Sequence, residues 1–274
     1  MSPPPIRKSP RPRHVEGSRL QPGDADLDAV PWRDVVGKHL AIEEKIDGAN
    51  CAISFDAGGA LLLQSRGHYL TGGAREKHFA ALKPWAQAHA SSLRDVLQDR
   101  YVMYGEWVYA KHTVYYDALP HYFLEFDVLD TKTGDFLSTP RRRALLEPLP
   151  IASVPVLHEG KLRTHAELVA FVGPSRFKTS AWRDRLAEEV RALELDVARA
   201  IAETDASNEM EGLYIKVEDE DRVIERLKWV RHGFLTSVVD SGTHWLARPI
   251  VPNRLAGGAS LEALFVPAQQ GDGR

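Results

Sequence analysis

The chain has 274 residues, 43% of them hydrophobic, which is enough for one large core or a core with an appendage. Its single cysteine, Cys51, excludes a disulfide framework and a cysteine-rich zinc site and points to a reducing, cytoplasmic setting. A net charge of −3 gives no global sign of a nucleic-acid partner, and there is neither a membrane-length apolar run nor a signal-peptide core, so no membrane partner is expected.

The chain opens with a basic, proline-rich tail over residues 1–13, in which Arg7, Lys8, Arg11 and Arg13 precede the first acid, Glu16. Two readings stand: an arm that contacts phosphate, or a disordered terminus, with composition favouring disorder for the first six residues. Alternation and β-branched or aromatic enrichment then predict strands over 40–44, 50–56 and 60–65, the last two joined by a hairpin turn from Asp56 to Ala60 around Gly58-Gly59. Residues 75–99 read as helix in two pieces, because Pro84 interrupts them. Strands follow over 101–109 and 122–129. Thr139-Pro140 before Arg141-Arg142-Arg143 reads as the opening of a solvated helix. From Trp182, helical spacing sets Leu186, Val190, Leu193, Val197 and Ile201 on one face, expected to be core. Strands over 212–217 and 223–230 come next, then a closing helix or turn over 232–245. With no repeat and no linker inside 30–240, the fold class expected is α+β: one domain over 14–245 with mostly antiparallel sheet and flanking helices, followed by an extension over 246–274.

The strand ends carry charge that a sheet does not need. Glu44-Lys45-Ile46-Asp47-Gly48-Ala49-Asn50 places a lysine between two carboxylates and follows it with a glycine. That setting suits a nucleophilic amine brought close to a phosphate by a backbone that Gly48 lets approach. Ser65-Arg66 ends an apolar strand with a cation, Gly105-Glu106-Trp107 interrupts one with an acid, and Glu125-Phe126-Asp127 holds an aromatic between two acids. Glu211 to Lys216 alternates acid, apolar and cation, and Arg226-Leu227-Lys228-Trp229-Val230-Arg231 adds three positive charges. Singly, each has a bland explanation as a solvated strand end or an edge strand.

In order, over about residues 40–231, these segments resemble the covalent nucleotidyltransferase superfamily of polynucleotide ligases and messenger-RNA capping enzymes. EKIDGAN is similar to its lysine motif, SR at 65–66 to the short arginine motif, and GEW, FLEFDV, EGLYIK and LKWVR to those that follow. The element FLEFDV and the upstream HVEGSRLQPGD look most like ATP-dependent RNA ligases of the phage RNA ligase 2 group. The resemblance implies a nucleotidyltransferase domain that takes ATP with Mg2+ or Mn2+ and joins RNA 3′-hydroxyl and 5′-phosphate ends through a lysyl-AMP intermediate. It implies Lys45 as the nucleophile, its amine deprotonated with help from the cations Lys216 and Lys228 and a bound metal. Lys216 and Lys228 would hold the α-phosphate and Glu211 the metal. Glu106 would bond a ribose hydroxyl, Phe126 stack on adenine and Glu44 accept the adenine N6 amine, with Ile46 and Asn50 beside the nucleotide. Arg66 would hold the sugar or the RNA end, joined on the RNA side by Arg19, Lys111, His112 and Arg231. Asp47 and Asn50 read equally as organisers of metal-bound water or as ties for the loop after Lys45, and the second cation beside Lys228 is either Arg226 or Arg231.

Only 43 residues follow Arg231, too few for a five-stranded barrel, so no OB-fold domain is expected. That favours a monomeric RNA ligase over a capping enzyme or a typical DNA ligase. The alternatives are a minimal ATP-dependent DNA ligase and a nucleic-acid end-binding protein without turnover. End-processing enzymes such as a kinase or phosphatase are candidate partners.

Overall fold

The computed structural model describes residues 4–20, 29–234 and 249–265. Strand β1 (Arg13–His14) is followed by β2 (Leu40–Lys45), β3 (Ala49–Phe55) and β4 (Leu61–Ser65). Helices α1 (Leu82–Ala88) and α2 (Ala90–Leu97) lead to β5 (Tyr101–Trp107), β6 (Phe123–Asp130) and α3 (Thr139–Leu146). Next come β7 (Ala152–Ser153), β8 (Val156–Gly160), α4 (His165–Val169), α5 (Trp182–Ala192), α6 (Val197–Ala202), β9 (Gly212–Glu218) and β10 (Val223–Val230).

The strands form two five-stranded sheets, ordered β1-β10-β9-β2-β8 and β4-β3-β5-β6-β7. All pairings are antiparallel except the short edge pairs β1 with β10 and β6 with β7. The α+β class is thus as expected, and among the described residues no barrel follows β10 and no helix is long and apolar enough to cross a membrane.

Period-two alternation sorts the first sheet into two chemically opposite faces. Leu40 and Ile42 of β2, Leu213, Ile215 and Val217 of β9, and Leu227 and Trp229 of β10 pack into one apolar cluster with Leu168 of α4. The intervening residues Glu43, Lys45, Tyr214, Lys216, Arg226 and Lys228 point the other way, toward the second sheet. The second sheet builds a larger core with Leu82 and Trp85 of α1 and Leu93 and Leu97 of α2. Each such fully buried side chain contributes about 1.5–3 kcal/mol. The apolar packing therefore lies largely behind the two sheets, and charge lies between them.

The hairpin from Asp56 to Ala60 forms as expected, with Asp56 Oδ1 accepting from the amides of Gly58 and Ala60. The 75–99 segment is indeed in pieces, but the break falls at His89. Pro84 lies in the first turn of α1, where a missing N–H leaves no helical bond unmade. The long face from Trp182 is only partly core. The chain reverses at Glu194, whose φ is 56°, so that Leu186 and Val190 are buried while Leu193 and Ile201 are 41% and 37% exposed. Strands β1, β7 and β8 carry no alternation strong enough to predict them, because they lie at sheet edges and are two to five residues long. The segment predicted to close the domain begins as a 3₁₀ turn at His232–Phe234, and 235–248 lie outside the described residues.

Candidate active site

A cavity of about 590 Å³, its open mouth included, lies over the charged face of the first sheet. From β2 it is lined by Glu43, Glu44 and Lys45, with Ile46 just beyond, and from β3 by Asn50. Arg66 follows β4, and Glu106, Phe126 and Tyr214 come from β5, β6 and β9. Seven of the residues singled out in the sequence thus line one hollow.

Lys45 is the last residue of β2 and pairs in register with Gly212, which puts its amine beside Glu211. Lys45 Nζ lies 2.7 Å from Oε1 and 2.8 Å from Oε2 of Glu211. A Cβ on Gly212 would meet Trp229 O at 2.0 Å, so glycine is what lets β9 close on β10 here. Gly48 acts similarly. Its Cβ would lie 2.7 Å from Val108 Cγ1 and 2.9 Å from Glu106 Cγ, so the close approach it permits is that of β5, not that of a phosphate as the sequence suggested. Asp47 ties the same loop: its Oδ2 accepts from the amides of Thr113 and Val114, both at 2.7 Å.

The charges around Lys45 differ from the expectation. Burial by itself would lower its pKa, but the charge and hydrogen bond of Glu211, joined by Glu106 and Asp47 at the alkaline pH where a lysine titrates, outweigh burial and raise it above the ordinary lysine value. In this state the amine is an ammonium, held by acids rather than discharged by Lys216 and Lys228. Glu106 is pushed up to about 8 by burial, against the pull of Lys45 and Arg66. Register sets Glu106 opposite Asn50.

Phe126 owes its position to a register shift. Tyr104 pairs with Asp127 and Gly105 with Glu125, which leaves Phe126 as the extra residue of a bulge. Its ring lies 5.7 Å from that of Tyr214. Glu125 and Asp127, on either side, turn into a layer of buried ions. Arg142 Nη2 donates to Glu43 Oε1 at 2.7 Å, and its Nη1 reaches both oxygens of Glu125 at 3.1–3.2 Å. Lys216 donates to the same Glu43 oxygen at 2.9 Å and to the carbonyl of Phe126, and Arg226 Nε donates to Asp127 at 2.7 Å. Three acids and three bases therefore neutralise one another between the sheets.

This layer corrects several expectations. Lys216, 1% exposed, does not line the cavity; it supports the backbone of Phe126 from behind. Arg226 is likewise committed to Asp127. Glu44 lines the hollow, but alternation carries its carboxylate to the far side of β2, where Ser175 Oγ donates at 2.5 Å and the amide of Arg176 at 3.2 Å, so it is not poised to read a base. Arg231 is buried on Asp205 and the carbonyl of Met210, which removes it from an RNA surface and from the phosphate site. His112 is buried too, and Lys111 Nζ donates to the carbonyls of His112 and Glu203. Lys228 is 7% exposed and acts electrostatically on Glu211. Arg19 is exposed, its amide bonded to Val230 O.

Arg142, Tyr214, Ser9, Pro10 and Pro12 are at or beneath the cavity without having been expected there. Arg142 stands in a triplet of arginines that looks solvated, and its exposed neighbours Arg141 and Arg143 conform to that reading.

The hollow suits a nucleotide. Glu43 lines it, and the buried Oε2 of that residue has no hydrogen-bond partner among the described residues, an acceptor that a ligand N–H or O–H would satisfy. For a metal, the described residues offer no ready-made cluster of three His, Cys, Asp or Glu ligands. Glu211, with Asp47 and Glu106 acting on the same amine, fits instead a hard cation that retains water and rides on phosphate oxygens.

The RNA ligase family model matches residues 38–230. An alanine mutant of a Naegleria gruberi RNA ligase, solved with ATP and Mn, is 17% identical at a TM-score of 0.53 over 84% of this chain and 58% of that one. Another mutant of that ligase, solved with AMP and Mn, is 15% identical at a TM-score of 0.52, covering 84% and 57%. The chain therefore spans less than two thirds of the length of these relatives, and at this identity the likeness is one of fold. No curated protein sequence matches the chain closely enough to count as a relative.

Proposed function

The chain belongs to the RNA ligase family, and from that premise we propose that it is an ATP-dependent RNA ligase working through a lysyl-AMP on Lys45 and an RNA-adenylate. The observation that carries this reading is Lys45 lining one hollow with Arg66, Glu106 and Phe126, its amine bracketed by both oxygens of Glu211.

In the proposed first step the Lys45 ammonium loses a proton to solvent, and the lone pair of the neutral amine forms a bond to the α-phosphorus of ATP while the bond from that phosphorus to the departing pyrophosphate breaks. A second N–H proton passes to solvent to leave the phosphoramidate. Phe126 offers its ring to the adenine, Glu106 bonds a ribose hydroxyl, and Lys228 faces the α-phosphate. A bound Mg2+ or Mn2+, held by Glu211, would neutralise phosphate charge. Glu211 keeps the amine aimed until it reacts. Arg66 and Arg19 remain cations accessible to a polynucleotide end, and the 5′-phosphate of RNA is the proposed acceptor of AMP. The element FLEFDV and the upstream HVEGSRLQPGD favour kinship with the phage RNA ligase 2 group.

Incubation with α-labelled ATP and a divalent metal tests the reading. Label should attach covalently to the wild type and not to Lys45→Ala. A nick with an RNA 3′-hydroxyl should then be sealed in preference to one with a DNA 3′-hydroxyl. Absence of a covalent adduct would leave an end-binding protein, and sealing confined to DNA would leave a DNA ligase.

A further inference from the structure

The basic tail crosses the cleft between the two sheets. At one end the carbonyl of Arg7 accepts from Gln64 Nε2 on β4 and from Tyr104 Oη on β5, both at 2.8 Å. At the other, Arg13 and His14 pair in parallel with Leu227 and Lys228 of β10, and the amide of Val15 donates to Lys228 O at 3.0 Å. Between these anchors Ser9, Pro10 and Pro12 line the cavity that holds Lys45 and Phe126, and Ser9 is 7% exposed. The segment is thus tied to both sheets and forms a wall of the hollow.

The geometry points to residues 7–14 as a strap that retains the nucleotide: Ser9, Pro10 and Pro12 complete the binding site for the adenosine portion of ATP. This rests on the nucleotide reading of the cavity. Two prolines fix φ and lower the entropy of holding an extended strap in place, which suits a wall with no sheet partner over its middle. Pro10 and Pro12 also lack an N–H, so at these two positions the strap offers carbonyl acceptors and no donors. The exposed Arg7 and Lys8 make the strap a substrate for trypsin, whereas the Arg11–Pro12 bond resists it.

The test uses the full chain and two variants, Gln64→Met/Tyr104→Phe, which frees the Arg7 carbonyl, and Pro10→Gly/Pro12→Gly, which loosens the strap without touching a buried residue. Binding of AMP and ATP is measured by calorimetry, and cleavage of the strap after Arg7 and Lys8 by limited trypsin digestion. The expected result is a Kd for both nucleotides weakened by roughly 5- to 10-fold in each variant, through the loss of two hydrogen bonds in the first and of the prolines' conformational restriction in the second, with AMP slowing tryptic cleavage of the wild-type strap. Joining of pre-adenylated RNA should change less than ATP binding does. Wild-type nucleotide affinity in the Pro10→Gly/Pro12→Gly chain, with tryptic cleavage indifferent to AMP, overturns the strap. Tighter binding in either variant overturns it also, by showing the segment to be an obstruction. A wild type that binds neither nucleotide sinks the ligase reading itself, a separate outcome.

Discussion

Lys45 and Glu211 are 166 residues apart, yet the ammonium of one is bracketed by both carboxylate oxygens of the other. The pair holds the amine in place and holds its proton on. Any reaction of Lys45 as a nucleophile must therefore loosen this contact, which a cation drawing Glu211 away would do.

Adenylylation should climb with pH between about pH 7 and pH 9, because the reactive neutral amine is the minor form of a lysine whose pKa is raised. Glu211→Gln removes the charge that raises that pKa, so its rising limb should move to lower pH even as its maximal rate falls by about 10²-fold. The pH–rate profile of AMP transfer measures both, and a limb that stays in place would mean that Glu211 does not control the amine.

Glu106, pushed up to about 8 by burial, is neutral at pH 7 and becomes a carboxylate as pH rises through that value. A triphosphate brought into the cavity favours the neutral form. ATP binding by the wild type should therefore weaken across about pH 8, while Glu106→Gln, which cannot ionise, should bind with little dependence on pH. Calorimetric titrations on either side of that pH decide the matter, and parallel curves for the two proteins would refute it.

Arg142→Ala should destabilise the fold by about 3–5 kcal/mol, because Glu125 is left buried without its cation and Glu43 keeps only Lys216. Arg142→Lys should recover little, since one ammonium does not reproduce a planar fork that reaches two carboxylates. Neutralising Glu125 together with Arg142→Met should recover much of the loss, because Glu43 keeps Lys216 as its partner. Denaturant unfolding gives the values, and a mild effect of Arg142→Ala would show that the layer admits water.

Gly48→Ala should lower adenylylation by ~10-fold or more while costing about 1–3 kcal/mol of stability, because its Cβ would push the lysine loop off Glu106 and Val108. Labelling with ATP beside a thermal melt separates the two effects. Unchanged labelling would show that this contact does not position Lys45.

What was legible in the sequence is what recurs locally. The long antiparallel strands announce themselves by alternation, and Lys45, Glu106 and Phe126 stand in short motifs whose order is itself a signal. Arg142 carries no such mark: its role depends on Glu43, 99 residues away, and on Glu125 across a loop. Glu44 misled because adjacency to Lys45 along a strand means opposite faces, which a stricter use of the two-residue period exposes. Lys216 was placed on the correct face of β9, but its depth is set by the second sheet, which lies over it. Pro10 and Pro12 look like punctuation in a tail, and only their tethers at Arg7 and His14 give them a place.

The six ions between the sheets have a bearing on how such a chain changes over generations. A single neutral substitution at 43, 125, 127, 142, 216 or 226 strands an opposite charge away from water, so isolated drift there is blocked. Exchange has to be concerted, with an acid and a base leaving in the same lineage. Among descendants these six positions should therefore be inherited as one block, while the apolar residues behind each sheet vary one at a time.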